Sequence, residues 1–119
     1  MNEIRALAFF ISNAIIKPKA DRYLAIIKSS QGRKKFSDAL CHKFESHIDQ
    51  NKITKEFKAD IWKKAAYSFC TSENFGEFWD TMEEAYSKNF PECVLIITHD
   101  GRAGLFIPEF PTDPVYIVV

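Results

Sequence analysis

The sequence predicts an α+β fold: about five helices followed by a small antiparallel sheet, a hairpin plus a C-terminal strand, in a single globular domain over residues 1–119. Three observations predict it. Between residues 2 and 88, apolar side chains recur at three- and four-residue spacing, the period of a helix with one buried face. Past Pro91 the chain changes to a β-branched run, Cys93-Val94-Leu95-Ile96-Ile97-Thr98, and a second run from Ala103 to Ile107. Between these two stands Asp100-Gly101, the dipeptide that two-residue hairpins favour.

Helix one covers residues 2–16, with Ile4, Leu7, Ala8, Ile11 and Ile15 on one face and Phe9, Phe10 and Ile16 widening it. Pro18 ends it, because a proline pushes the preceding residue out of the α region, and the same proline suits the first turn of helix two through Ile27. Ser29-Ser30-Gln31-Gly32 reads as a break. Helix three repeats Phe36, Leu40, Phe44 and Ile48, with Arg33-Lys34-Lys35 crowding its first turn against the helix dipole. Thr54 is the expected cap of helix four, along which Phe57, Ile61, Ala65 and Phe69 repeat beside Trp62 and Ala66. Ser72 is the expected cap of helix five, with Phe75, Phe78, Trp79, Met82 and Tyr86 as its buried stripe. Asn89 and Pro91 stop that helix, and Val115–Val119 closes the chain as a third strand after Pro108, Pro111 and Pro114.

Apolar residues make up 46% of the chain, enough for a real core and far from the composition of disorder. The charges cancel overall but are sorted by position. Residues 1–70 hold 14 of the 16 Lys and Arg against seven acids, a net of +7, and residues 71–119 hold two cations against nine acids, a net of −7. A surface built from the second half is acidic, and such surfaces select basic partners by long-range steering.

Cys41, Cys70 and Cys93 are odd in number and widely spaced, which predicts reduced thiols and a cytoplasmic protein rather than a disulfide framework. Glu3 and Ser12-Asn13 spoil the pattern of a secretory leader. The longest apolar stretch, Ala6–Ile11, is far short of the roughly 20 residues that span a bilayer, so no membrane partner is expected.

Lys19-x-x-Arg22-Tyr23-Leu24, Gly32-Arg33-Lys34-Lys35-Phe36 and Leu40-x-His42 resemble a pattern in a family of small uncharacterised bacterial proteins, which also end in a strand, an Asp-Gly turn and a strand. No activity attaches to that family, so the resemblance implies no functional residue.

No catalytic, cofactor or metal site is expected. His42 and His47 are five apart, whereas two ligands on one helical face need three or four. Phosphate-binding glycine loops and nucleophile elbows are absent. His99-Asp100-Gly101-Arg102 is the most chemically mixed tetrapeptide, although a hairpin wants Asp-Gly for its backbone alone. The basic cluster Lys17, Lys19, Arg22, Lys28, Arg33, Lys34 and Lys35 could meet phosphates, yet only four of the 16 cations are Arg, the residue best shaped for that contact. Nucleic acid is therefore the lesser expectation.

The most concentrated charge is Glu73, Glu77, Asp80, Glu83 and Glu84, which the helical reading puts on one stripe of helix five. Together with His99, Asp100 and Arg102 it is the expected partner-binding surface. The function so predicted is a small non-enzymatic protein that neutralises a basic, toxin-like protein by occlusion, as an immunity protein does. The alternatives are a nucleic-acid-associated regulator using residues 17–35 and a small enzyme with a site around His99, Asp100 and Arg102 or at Cys93.

Overall fold

A computed structural model describes residues 2–71, 73–89, 93–108 and 113–119. The N-terminal third follows its periodicity. Helix α1 runs Glu3–Ala14, with the Asn2 side chain accepting from Arg5 N at its start. Helix α2 (Lys17–Ile26) carries Pro18 in its first turn, where a missing N–H costs nothing. Helix α3 (Ser30–His42) begins earlier than its sequence predicts, because the Ser29 hydroxyl caps it by accepting from Gly32 N at 3.0 Å. It also ends earlier, and a 3₁₀ turn (Phe44–His47) carries the chain away. Phe36, Leu40, Phe44 and Ile48 are all buried nonetheless.

The middle of the chain corrects the helical reading. Thr54 caps nothing: it lies in a short strand, β1 (Ile53–Thr54). Of the expected helix four, one turn remains as α4 (Ala59–Trp62), and its end becomes strand β2 (Ala66–Phe69). Of helix five, the first half is strand β3 (Phe75–Trp79) and the second is helix α5 (Met82–Asn89). Its expected cap, Ser72, lies outside the described residues. Thr81 caps α5 instead, its Oγ1 accepting from Glu84 N at 3.0 Å.

Strands β4 (Val94–Thr98), β5 (Ala103–Ile107) and β6 (Val115–Val118) stand where the sequence puts them. The sheet is not a small hairpin plus one strand, however: it has six strands in the order β1-β6-β5-β4-β2-β3, every pair antiparallel. The fold is α+β. The β4–β5 turn is also longer than two residues, because residues 99–102 lie between Thr98 and Ala103. Gly101 takes a positive φ and Asp100 does not, which rules out the two-residue turn that needs both.

Both faces of this sheet are covered. Phe69, Leu95, Ile97, Phe106 and Ile117 pack with the buried faces of α1, α2 and α3. Ala66, Val94, Ile96, Leu105 and Ile107 pack on the other side with Phe57, Met82 and Ala85. Strands β4 and β5 are therefore buried at every position, which is why they read as continuous apolar runs rather than as alternation. Of the aromatics expected in the core, Phe69 is fully buried, but Phe78 is 55% exposed.

Candidate functional site

Strand β3 is the outermost strand on its side of the sheet and the element that carries the acids. It pairs with β2 through Trp79↔Ala66, Phe78↔Tyr67, Glu77↔Ser68 and Phe75↔Phe69, with the register shifting between Ser68 and Phe69. Gly76 is the extra residue of that bulge, at φ 86°, a conformation that glycine adopts without strain. The bulge puts Phe75 and Phe78 on the same face although they are three apart. Phe75 turns inward, its ring 4.9 Å from Phe69 and 5.9 Å from Phe36. Phe78 packs its ring 5.8 Å from that of Tyr67 and is 55% exposed.

On the opposite face, Trp79 is pinned by its indole N–H, which donates to the buried Ser68 hydroxyl at 2.9 Å. Glu77 shares that face and is exposed. Glu73 precedes the strand, in a turn held by Asn74 N donating to Thr71 Oγ1 at 3.1 Å, and Asp80 follows it in a bend; both are exposed.

The acids thus do not form one helical stripe. Glu73, Glu77 and Asp80 line an edge strand and its ends, while Glu83 and Glu84 occupy the first turn of α5. Carboxylates there favour the helix dipole by about 0.3–1 kcal/mol each. Their placement thus has a structural account of its own.

The hairpin turn belongs to the same end of the sheet, since Trp79 and Thr98 flank Ala66 on either side. Its chemistry is taken up within the fold. Asp100 Oδ1 accepts from Thr98 Oγ1 at 2.6 Å and from Arg102 N at 3.1 Å, and Oδ2 lies 3.5 Å from Lys64 Nζ. Burial pushes the Asp100 carboxyl up, but the Thr98 and Arg102 hydrogen bonds, Lys64 and His99 together outweigh it and hold the group below its ordinary value. Arg102 lays its guanidinium 5.4 Å from the centre of the Phe9 ring. His99 is exposed, its backbone N–H donating to Ala65 O at 2.8 Å.

These contacts set a test. Asp100→Ala is expected to cost about 1–2 kcal/mol at neutral pH. With the folded value depressed, the unfolded chain binds the extra proton just below the ordinary value of 3.8. The stabilisation is complete above that pH and fades as pH falls through the folded value. The gap between parent and variant, measured by urea unfolding from pH 7 downward, should close in strong acid.

The basic segment divides. Arg33 is engaged, its Nε donating to Ile27 O at 3.4 Å and its guanidinium 5.4 Å from the Phe75 ring centre. Lys17, Lys28 and Lys34 are exposed. Lys19, Arg22 and Lys35 instead surround a cleft between α2 and α3, a grouping that sequence spacing alone does not reveal. Among the described residues, no group of three or more His, Cys, Asp or Glu could hold a metal ion, and no helix is long and apolar enough to cross a membrane. Cys41, Cys70 and Cys93 are all half-buried, and Cys70 Sγ donates to Cys93 O at 3.3 Å. No known protein family, curated protein or solved structure matches the chain.

Proposed function

We propose that this is a binding protein that docks a basic protein partner along β3, most concretely an inhibitor of the immunity type that covers a basic active surface. The observation that carries the reading is Phe78: a large aromatic, 55% exposed, on the outermost strand of a six-stranded sheet. Exposed aromatics at an edge are anchors for partners, and an edge strand offers unpaired backbone groups beside them. Glu73, Glu77 and Asp80 lie along the same strand and at its ends, Glu77 on the face opposite Phe78, so a partner that meets this edge meets their charge. A second copy of this chain would bring those acids against each other, whereas a basic surface would be steered onto them.

The test is a photo-crosslinker in place of Phe78, with the same probe at the exposed Lys58, outside β3, as a control, in cells that express the protein natively. The expected result is an adduct with a basic protein at position 78 and none at 58. No adduct, equal adducts at both positions, or a cross-linked dimer of this chain would each remove the reading.

A further inference from the structure

The cleft between α2 and α3 has a volume of about 520 Å³, within the roughly 300–1,000 Å³ of small-molecule sites. Lys19 and Arg22 reach it from α2, Lys35 from α3, and Lys43 from the residue that ends α3. Among the described residues, Asp38 is the single carboxylate on its wall. None of the four cations has an ion-pair partner among the described residues. Four unpaired positive charges around one concavity repel each other and concentrate anions within it.

The wall is also shaped by contacts that have no role at the sheet edge. Tyr23 and His47 join across it, Oη to Nδ1, at 2.7 Å. His47 is held there because the segment after α3 is clasped to the α1–α2 link. Ile16 N donates to His47 O at 3.0 Å and Asp49 N to Ala14 O at 2.8 Å. Burial, then Lys19, Lys43 and Arg22, lower the His47 proton affinity, and burial raises that of Tyr23 despite Arg22 beside it. Both rings are therefore neutral at pH 7. When the phenol donates to Nδ1, the imidazole carries its proton on Nε2 as a further donor. The remaining lining is the apolar pair Ile26 and Ala39, together with His42.

From this geometry we infer that the α2–α3 cleft binds a small organic phosphate, with the phosphoryl group among Lys19, Arg22, Lys35 and Lys43 and an apolar or aromatic body against Ile26, Ala39 and Tyr23. Free phosphate would leave most of the volume empty. The arginine and three lysines suit a tetrahedral dianion, which accepts charged hydrogen bonds from several directions. This site is separate from the β3 edge and does not depend on it.

The experiment is calorimetric titration of the full chain with adenosine monophosphate, inorganic phosphate and adenosine, at low and raised salt. The variants are Arg22→Glu/Lys35→Glu, the milder Lys19→Gln/Lys43→Gln in case the first does not fold, and Lys58→Glu as a remote control. Adenosine monophosphate is expected to bind at least about tenfold more tightly than phosphate, and to lose at least about tenfold in either cleft variant and nothing in the control. Binding is expected to weaken with salt and to raise the His47 pKa seen by NMR. No binding, unchanged binding in the cleft variants, or adenosine binding as well as its phosphate would overturn the inference. So would inorganic phosphate equalling the nucleotide. A short single-stranded oligonucleotide that binds through the same cations while adenosine monophosphate does not would replace it with a nucleic-acid surface.

Discussion

Truncating Phe10 to alanine is expected to cost about 3–5 kcal/mol and to lower Tm by roughly 10–25 °C. Phe10 is fully buried at the middle of α1 and anchors that helix on the sheet. Its ring lies on the bare backbone of Gly104 in β5: a Cβ built there would meet Phe10 Cε1 at 2.4 Å and Cζ at 2.5 Å. Gly104 has no side chain to fill the space beneath the ring, so a cavity is expected there. Since a domain of this size has about 5–15 kcal/mol to lose, the variant should be partly unfolded at modest urea. A Tm within a few degrees of the parent would mean that α1 packs in another register.

Gly32→Ala is expected to destabilise by about 2–3 kcal/mol, opposite in sign to the usual effect of the change. Inside a helix, alanine ordinarily gains about 1 kcal/mol over glycine. Here the new Cβ would sit 1.6 Å from the Ile26 carbonyl oxygen and 2.5 Å from its carbon. Both are backbone atoms, so relief requires α2 and α3 to separate, with overpacking costs of that order. Because those helices form the walls of the cationic cleft, the same variant should bind adenosine monophosphate more weakly. A variant melting above the parent would show that the α2–α3 approach is looser than described.

These two residues also mark how far the sequence could be read. Helix α1, the proline start of α2 and strands β4, β5 and β6 were legible because each has one dominant signal: a wide apolar face, a fixed φ, or an unbroken β-branched run. Residues 54–79 were not, because a four-residue repeat is ambiguous. Phe57, Ile61, Ala65 and Phe69 fit a helical face, yet an even spacing also fits strand alternation. The bulge at Gly76 made the confusion worse, setting Phe75 and Phe78 on one face at a helical spacing of three.

Two signals pointed the other way. Gly76 is a poor residue for a helix interior and a common one at a bulge. Thr81-Met82-Glu83-Glu84 has the form of a capping box, which marks the start of α5 and so excludes a helix running through it. The acids of the candidate site were visible from their density alone, but their arrangement and the exposure of Phe78 depend on the strand assignment. The cleft was invisible for a different reason. Its cations come from two helices and the residue that caps the second, and Tyr23 and His47 are 24 residues apart.

The docking account is tested most directly by the association rate with the protein cross-linked at position 78, measured over a range of salt for the parent and for Glu73→Lys/Glu77→Lys/Asp80→Lys. The three acids are exposed and none supports α5, so the variant should keep the parent's Tm. The account expects its association to slow by about tenfold or more at low salt and to lose most of its salt dependence, with dissociation little changed. A folded variant that associates at the parent's rate, with the parent's salt dependence, would contradict it.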